Sequence, residues 1–454
     1  MIPGLAVGDF FCDIWKYVVN CAVMARKHKI YEDDWRYNLL HWLVATYVHH
    51  SFRRMVCRGK ENLPKDGAII LAPNHCNTLM DPFALLGTLD GKMVFVARAD
   101  IFATKFAGVL RFLKMLPINR KRDGIRNMVK TDETIKNSIE VLNNSTPFCI
   151  LPEGTHRTMH SLMPIGKGIV RIATGAIEAS GGKKVYIVPI GLEYGDYFRY
   201  RSTLVVEYGK PIDVNAVEER MKDETPLALN NEIRSLTRDG IKRNIVYIPD
   251  DENYDAKWEL CKIYSSKVQE VKPLERREAN KEAAAKLEKL SAEQPEKAAA
   301  LFERSANYKK AREESKISGH VVKTRRKGLV AVLSTLLMAV LSPIEAVWAL
   351  ASSIPVALAE FICWKGADRA FNNSLRCAAL MFIWTLVWIV WAVVLLVCLP
   401  WWVALVIIVG LVPAPFMVYD YVEAWRRVVS LWKCLWHKKL CKEHDALRRE
   451  MEKL

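Results

Sequence analysis

Residues 71–82 place a histidine and an aspartate directly after a short apolar run that reads as a strand. A histidine, with an unperturbed pKa of about 6.5, is the natural general base at neutral pH. An acidic partner would fix its tautomer and stabilise the imidazolium as it forms. His75 and Asp81 are therefore a candidate pair for deprotonating a substrate hydroxyl without a serine or cysteine nucleophile. Six residues turn a helix by about 600°, which leaves the two side chains about 240° apart around the helix axis. They would not share one helical face, so a turn must bring them together.

Two alternatives stay open for this pair. Asp81 stands before Pro82, and an aspartate followed by proline is also typical of a helix N-cap with proline in the first turn. His75 could bind backbone groups alone.

Cations follow another apolar run and suit a phosphate group. Residues 116–122 end in three cations, of which Arg120 is the first, and a guanidinium can hold a phosphate through two hydrogen bonds. Lys167 lies between two glycines and adds a further cation. Taken alone, a cluster of this kind is also typical of a solvated loop.

A carboxylate and a glycine follow a third apolar run, within residues 150–157. Glu153 could hold a polyol hydroxyl, and Gly154 would let the backbone approach a ligand closely. The alternative is a solvated turn. A fourth stretch, residues 188–190, lies at the end of a predicted strand.

Short apolar runs alternate with helical patterns over residues 54–213, which predicts an α/β domain. Five runs read as strands covered on both faces, at residues 68–72, 93–97, 148–151, 185–189 and 204–208. Segments 124–143 and 168–180 are long enough for helices between them. Loops after such strands are where α/β sheets form their sites.

These four stretches, in order and spacing, resemble the glycerolipid acyltransferase family of glycerol-3-phosphate and lysophosphatidate acyltransferases. The matching elements are Asn-His followed by Asp, Ile-x-Arg, Pro-Glu-Gly-Thr and Val-Pro-Ile. The residues that carry them are Asn74, His75, Asp81, Ile118, Arg120, Pro152, Glu153, Gly154, Thr155, Val188, Pro189 and Ile190. The resemblance covers roughly residues 54–213.

Departures from the family pattern bear on the choice of acceptor. Five residues rather than four separate His75 from Asp81, a gap that resembles fungal-type glycerol-3-phosphate acyltransferases and their bacterial relatives. Lys114 and Pro117 replace the usual Gly and Phe. After the third element, His156 stands where the family has Arg.

The resemblance implies an α/β acyltransferase domain with a central mixed sheet flanked by helices. It implies that His75 takes the proton of an acceptor hydroxyl, that Asp81 orients His75, and that the alkoxide attacks an acyl thioester without an acyl-enzyme. Arg120 would bind the acceptor phosphate, and Glu153 with Gly154 the glycerol end. The residues expected to contact substrate are Asn74, Arg120, Glu153, Gly154, Thr155, Arg157, Lys167 and Pro189.

The same resemblance implies no metal and no tightly bound cofactor. The expected donor is acyl-CoA or an acyl thioester on acyl carrier protein, and the acceptor is a phosphorylated glycerol. His156 and His160 stand four apart and could share a metal on a helix, but no H-E-x-x-H spacing appears.

Composition excludes several other classes of protein. The chain has 454 residues, 51% of them hydrophobic, so it is neither disordered nor collagen-like. Its 11 cysteines include no C-x-x-C pair, which argues against a disulfide scaffold or a four-cysteine zinc site. The formal charge is +16, and basic clusters flank apolar runs, as cytosolic ends of membrane spans do. A lipid bilayer is therefore the expected partner, and no nucleic-acid motif appears.

The chain divides into five predicted regions. Residues 1–53 form membrane-interface helices (alternatively a buried helix of the domain), residues 54–250 the acyltransferase domain, and residues 251–327 a charged helical hairpin joined near Pro295. Residues 328–420 are membrane segments: 328–364 kinked or re-entrant at Pro343 and Pro355, and 377–419 a transmembrane hairpin. Residues 421–454 form a basic cytosolic tail.

An integral membrane protein with its catalytic domain on the cytoplasmic face is the resulting prediction. Glu345 and Glu360, inside or beside the first hydrophobic block, are candidate functional carboxylates or interface residues. Transfer of a fatty acyl group to glycerol-3-phosphate or its 1-acyl ester is the expected reaction. The alternatives are an amino-acid-derived lysolipid acceptor and a non-enzymatic membrane adaptor, while a transporter is disfavoured because the spans are few.

Overall fold

The computed structural model describes residues 29–99, 102, 107–118, 128–322, 324, 326–366 and 368–454. Among these residues, eight strands form one mixed sheet. The strands are β1 Arg54–Arg58, β2 Ala68–Pro73, β3 Val94–Arg98, β4 Met115–Ile118, β5 Phe148–Cys149, β6 Val185–Tyr194, β7 Thr203–Tyr208 and β8 Ile212–Asp213. Their order is β1-β7-β6-β2-β5-β3-β4, with β8 paired to β6. The pairs of β6 with β7 and β8 are antiparallel and the others are parallel.

Helices cover both faces of this sheet, which is why its strands are continuously apolar. The helices of this part are α1 Trp35–Ser51, α2 Met80–Leu86, α3 Ala107–Phe112, α4 Met128–Asn143, α5 Gly168–Ala179, α6 Val214–Arg220 and α7 Pro226–Asn244. Neighbouring residues of β2 enter different cores: Ile70 packs with α4, α5 and α7, whereas Leu71 packs with α1 and α2. All ten residues of β6 are buried. The predicted central mixed sheet flanked by helices is confirmed.

A helical unit with its own core follows the sheet. It contains α8 Tyr254–Ser265, α9 Pro273–Glu293, α10 Pro295–Glu314 and α11 Gly319–Val322. The second and third of these meet at Gln294, beside Pro295, where the sequence pattern places a junction. Proline starts each of these two helices, at a position where its missing N–H has no helical partner to lose.

The C-terminal part is helical and largely apolar. Its helices are α12 Lys327–Ala351, α13 Ser353–Lys365, α14 Asn372–Ala379, α15 Thr385–Cys398, α16 Trp401–Leu411, α17 Ala414–Trp436 and α18 Lys438–Lys453. Within the described residues, Lys327–Ala351 and Arg369–Cys398 are long and apolar enough to cross a membrane. A third crossing results if α16 and α17, bent by 47° at their junction, form one span.

Pro343 does not break its helix, contrary to the prediction from the sequence. Proline removes the hydrogen bond to the carbonyl four residues earlier, which belongs to Ala339. The Ser342 hydroxyl donates to that carbonyl oxygen at 2.7 Å, so the freed acceptor is satisfied and α12 continues. The break falls at Ser352 instead, and Pro355 occupies the first turn of α13.

The apolar C-terminal helices pack directly on the sheet domain. Trp384 and Phe416 belong to the same core as α1 and Leu71 of β2. Tyr47 and Thr385 share a hydrogen bond of 2.8 Å, and Arg201 forms an ion pair with Asp420 at 2.6 Å. These helices therefore form part of the structure that supports the site, in addition to any anchoring role.

Helix α1 has one face in this core and one face exposed. Val48 is fully buried, whereas Trp35, Leu39 and Trp42 are exposed. The helix is thus partly a buried helix of the domain, and its exposed aromatic face suits a bilayer surface, as a membrane-interface helix would. Residues 1–28 lie outside the described part of the chain.

Candidate active site

His75 and Asp81 meet at the carboxyl end of β2. The Nδ1 atom of His75 lies 2.8 Å from Oδ2 of Asp81, and this carboxylate is fully buried. The imidazole itself is about 15% exposed. A carboxylate accepts only, so Nδ1 carries the proton and Nε2 is left as the basic nitrogen. The pair has the arrangement that general base catalysis requires.

Five donors converge on the carboxylate of Asp81, one of them the Cys76 thiol, whose Sγ lies 3.9 Å from Oδ1. Oδ2 accepts from the backbone N–H groups of Cys76 at 2.9 Å and Asn77 at 2.8 Å, in addition to His75. Oδ1 accepts from the Tyr194 hydroxyl at 2.8 Å. Every one of these contacts donates to the carboxylate, so the loop and β6 fix its orientation towards His75.

The turn between the two residues depends on Thr78, whose φ of 49° is unusual for a residue with a β-branched side chain. Its hydroxyl contacts the Ala370 carbonyl at 3.3 Å and the Ser374 hydroxyl at 3.0 Å. Contacts from the C-terminal helices thus hold the turn. The N-cap alternative for Asp81 is wrong, since α2 starts one residue earlier and the carboxylate points back to the loop.

Nε2 of His75 has no hydrogen-bond partner among the described residues, which leaves it free for a substrate hydroxyl. The edge of its ring faces His156, with ring centroids 5.6 Å apart. His156 in turn packs against Phe371 and lies 3.4 Å from a carboxylate oxygen of Asp368. The segment before α14 therefore forms part of the wall around the imidazole.

Glu153 fixes the loop of His75 rather than extending into open space. Oε1 accepts from the backbone N–H of His75 and Oε2 from that of Met163, each at 2.7 Å. Burial raises the pKa of Glu153, and the two N–H groups partly oppose that rise. The carboxylate bridges two loops, which gives Glu153 a positioning role, and its predicted contact with a polyol stays a prediction.

Replacing Glu153 by glutamine is expected to lower kcat by about 10- to 100-fold with a small change in KM for the acceptor. The amide sets an N–H donor against one of the two backbone N–H groups, and a charged hydrogen bond contributes about 1.5–3 kcal/mol. Steady-state kinetics of Glu153→Gln and of the exposed control Glu224→Gln will measure this. A raised KM with unchanged kcat would support the polyol contact instead.

Asn74 and Pro189 face the protein interior, and the substrate contacts expected for them stay predictions. Asn74 is buried; its amide bonds both backbone groups of Leu192, at 2.7 and 3.1 Å, and so ties the loop to β6. The Pro189 ring packs closely on Gly240 of α7, and its carbonyl accepts from Gly209 at 2.9 Å. Both residues therefore hold the loop and the end of β6 in place.

The remaining residues of the third stretch surround the loop. Gly154 is exposed with a φ of 68°, a conformation that glycine adopts without strain. Thr155 is half-buried beside it. The Arg157 guanidinium contacts Asp250 and the Ser161 hydroxyl, and its backbone N–H donates to the His75 carbonyl at 3.0 Å. Its predicted contact with substrate would therefore compete with these partners.

Of the two cations predicted to bind substrate, the structure describes Lys167 but not Arg120. Lys167 is exposed at the start of α5. Arg120, predicted to hold the acceptor phosphate, lies outside the described residues, so its role stays a prediction.

Lys114, a departure from the family pattern, donates to the carbonyls of Ile30 and Glu32 at 2.7 Å each. It thus ties the segment before α1 to the sheet.

The paired histidines have separate partners, and so does Glu360, one of the two carboxylates of the first hydrophobic block. His160 is buried 3.0 Å from Glu193 and stacks on Trp258, so it faces away from His156. No group of three metal-ligating side chains occurs within the described part of the chain. Glu360 forms a two-bond ion pair with Arg376 at 2.7 and 2.9 Å.

Cys76 follows His75 directly, yet it does not act as a nucleophile in this arrangement. Its side chain is 2% exposed, and burial, followed by the nearby Asp81, raises its pKa well above the usual value for a thiol. Sγ points to the Leu192 carbonyl at 3.8 Å. The thiolate needed for attack is strongly disfavoured.

Cys76→Ala is therefore expected to keep most of the activity, far from the loss of about 10²–10⁴-fold that removal of a general base causes. The acyl-transfer rate of Cys76→Ala is compared with that of Cys149→Ala, which removes another buried thiol, on β5. A loss of that size in Cys76→Ala alone, with an acyl group recovered on the protein, would show a covalent route instead.

Sequence reasoning missed Tyr194, Thr78 and the segment that precedes α14. Tyr194 could have been found from strand alternation, since Ile190, Leu192 and Tyr194 share one face of β6. No local pattern predicts that residues 368–374, nearly 300 positions after His75, close the wall of this site.

Comparisons with known proteins identify relatives of part of this chain. Residues 54–193 match the family model described as acyltransferase. A stretch of 98 residues is 35% identical to glycerol-3-phosphate O-acyltransferase 2 of Saccharomyces cerevisiae, covering 22% of this chain and 13% of that protein. A stretch of 165 residues is 23% identical to a probable 1-acyl-sn-glycerol-3-phosphate acyltransferase of Mycoplasma pneumoniae, covering 35% and 57%.

These matches span little more than half the length of the curated relatives at most. Among solved structures, the 1-acyl-sn-glycerophosphate acyltransferase from Thermotoga maritima is 17% identical, with a TM-score of 0.34. That comparison covers 52% of this chain and 92% of the other. The suspected resemblance to glycerolipid acyltransferases is thus confirmed at the level of the domain family.

Proposed function

We propose that the protein is a membrane-bound O-acyltransferase that moves a fatty acyl group from a thioester to a hydroxyl of glycerol-3-phosphate or its 1-acyl ester. The observation that carries this proposal is the contact between His75 and the buried Asp81, which leaves Nε2 as the basic nitrogen at a strand end, with no hydrogen-bond partner among the described residues. The acyltransferase-family domain around the pair, and the acceptors in the names of its relatives, support the reaction class.

In the proposed reaction, Nε2 of His75 removes the proton of the acceptor hydroxyl as its oxygen attacks the thioester carbonyl. Asp81 stabilises the imidazolium that forms, since its charge lies 2.8 Å from Nδ1. Collapse of the tetrahedral intermediate forms the ester and breaks the carbon–sulfur bond. The imidazolium then returns its proton to the departing thiolate, so the histidine ends the cycle neutral without an acyl-enzyme.

The apolar helices give a reason for the proposed location. A fatty acyl chain and an acylated product partition into a bilayer, and the helices α12 and α15 would hold the domain at that surface. The basic residues near Lys327 and in α18 favour the cytoplasmic side. Arg120 is the proposed contact for the acceptor phosphate, and the donor is proposed to be acyl-CoA or acyl carrier protein.

A comparison of acceptors tests this function. The purified chain in lipid vesicles receives labelled acyl thioester with glycerol-3-phosphate, lysophosphatidate or an N-acyl amino acid. We expect label in phosphorylated glycerolipid, and a KM for that acceptor about 10- to 100-fold higher in Arg120→Ala, because a charged hydrogen bond contributes about 1.5–3 kcal/mol. Preference for the amino-acid acceptor, with no effect of Arg120→Ala, would point to the other lipid class. Absence of transfer to every acceptor would favour a non-enzymatic adaptor.

A further inference from the structure

The segment that leads from α13 into α14, residues 368–374, contacts three separate loops of the sheet domain. We call it the junction segment. Its partners lie in the loops that follow β2, β5 and β6. The contacts join Thr78 to Ala370 and Ser374, His156 to Asp368 and Phe371, and the Tyr197 carbonyl to the Asn373 amide at 2.7 Å. The positions of these loops are therefore linked to the position of one short segment.

The contact with Thr78 is a pair of hydrogen bonds in the protein interior. Thr78 is 3% exposed and Ser374 is 1% exposed, and their hydroxyl oxygens lie 3.0 Å apart. The Ala370 carbonyl can only accept, so the single proton of the Thr78 hydroxyl goes to it, at 3.3 Å. Ser374 is therefore the donor in the bond between the two hydroxyls. Because the site is buried, water does not replace this bond when it is lost.

Thr78 controls the course of the chain between His75 and Asp81. Its φ of 49° lies in the left-handed region, which a β-branched residue adopts only where its surroundings hold it. Its carbonyl accepts from the N–H of Asp81 at 3.4 Å, and the N–H of the preceding Asn77 donates to the Asp81 carboxylate at 2.8 Å. Thr78 thus stands between two groups that bind Asp81. A change in its conformation would move that carboxylate relative to Nδ1 of His75.

The junction segment is in turn held by the apolar C-terminal helices. Ser374 belongs to Arg369–Cys398, which is long and apolar enough to cross a membrane. Two residues further on, Arg376 binds Glu360 of α13 through two hydrogen bonds, at 2.7 and 2.9 Å. Glu360 also accepts from the Tyr419 hydroxyl of α17 at 2.8 Å. The position of Ser374 therefore depends on contacts among α13, α14 and α17.

We propose that the junction segment is a positioning element of the active site, in which Ser374 holds the Thr78 turn and, through it, the contact of Asp81 with His75. This inference rests on the proposed acyl transfer. Ser374 acts through Thr78 and Asp81, so it is a positioning residue. The apolar C-terminal helices then take part in catalysis in addition to anchoring the chain.

Kinetics of the full chain in lipid vesicles test this role. Ser374→Ala removes the donor, and Thr78→Val removes its partner while keeping the branched shape of the side chain. We expect each variant to lower kcat by about 10- to 100-fold with little change in either KM, since a small displacement of a catalytic group has an effect of this size. Thr78→Ser restores the hydroxyl and should recover most of the kcat that Thr78→Val loses.

Two comparisons separate positioning from a general loss of packing. Ser352→Ala removes another buried serine hydroxyl of the apolar helices, one that donates to the Trp348 carbonyl at 2.7 Å, and it should keep the wild-type kcat. The double variant Thr78→Val/Ser374→Ala should be no slower than the slower single variant, because both changes remove the same hydrogen bond. Unchanged kcat in Ser374→Ala, an equal loss in Ser352→Ala, or losses that multiply in the double variant would overturn the proposal.

Amide hydrogen exchange of the same chains gives a readout that does not depend on activity. The N–H groups of Cys76 and Asn77 are bonded to Asp81, so exchange of residues 76–81 reports whether the turn is held. We expect this exchange to be about 10-fold faster in Ser374→Ala than in wild type or Ser352→Ala, since loss of a buried hydrogen bond changes a local opening equilibrium by about that factor. Equal melting temperatures show that the variants fold.

The outcomes of the exchange measurement distinguish this inference from the proposed function. Faster exchange of residues 76–81 in Ser374→Ala, in a chain that transfers no acyl group, would support the positioning role and contradict the function. Equal exchange in wild type and Ser374→Ala would overturn the positioning role, whether or not the chain is active.

Discussion

Replacing His75 by alanine is expected to lower kcat by about 10²–10⁴-fold, the range that a positioned general base supplies. Nε2 is the basic atom that the loop leaves unbonded, so its removal leaves the hydroxyl proton without an acceptor. The stability of the fold should change little, because the ring is partly exposed and, within the part of the chain that the structure describes, its one hydrogen bond is to Asp81. Initial rates of acyl transfer at saturating donor, beside a thermal unfolding curve, give both quantities.

Two other histidines serve as comparisons for His75. His49 is exposed at the end of α1, so His49→Ala should retain wild-type rates. His156 contacts His75 by its ring edge and Asp368 by its Nε2, so His156→Ala tests whether the neighbour is the base. A loss of about 10²–10⁴-fold in His156→Ala, with His75→Ala still active, would show that His156 and not His75 is the general base.

Replacing Asp81 by alanine is expected to affect both activity and stability. The change leaves the N–H groups of Cys76 and Asn77 and the hydroxyl of Tyr194 buried without an acceptor. Each unsatisfied buried donor costs about 1–3 kcal/mol, so several kcal/mol of unfolding free energy should be lost. The imidazole of His75 loses its fixed tautomer and the charge that stabilises its protonated form, so kcat should also fall by about 10²–10⁴-fold.

Asp81→Asn separates these two effects. The amide oxygen can still accept from His75 and the two backbone groups, while the amide N–H₂ faces Tyr194, whose hydroxyl can turn to accept. Unfolding free energy should therefore stay close to that of wild type, whereas kcat falls because the negative charge is gone. Equal kcat in Asp81→Asn and wild type would mean that the carboxylate only shapes the loop.

The sequence predicted the central strands because both faces of the sheet are covered, which makes each strand a short apolar run. The runs at residues 68–72 and 204–208 match β2 and β7 within one residue. Strand β1, Arg54–Arg58, was missed because it lies at the sheet edge with both ends charged and exposed. Strand β4, Met115–Ile118, has only four residues and contains a proline, which an edge position tolerates.

Residue types and spacing indicated which side chains matter at the site, but not what each contacts. His75 and Asp81 were predicted as a pair because their chemistry is complementary, and the structure brings them together. Glu153 and Asn74 were predicted to face substrate, yet backbone groups 10 and 118 positions away hold them. Contacts of that kind depend on tertiary structure, and no local spacing encodes them. The same holds for the wall that residues 368–374 supply.

The most direct test of the account follows labelled acyl groups through the purified chain. Wild type and His75→Ala, each in lipid vesicles, receive labelled acyl thioester and glycerol-3-phosphate or lysophosphatidate, and the esters are separated and counted. The account predicts labelled ester from wild type, formed about 10²–10⁴ times faster than from His75→Ala. Ester formed at equal rates by the two chains, or by neither, would contradict it.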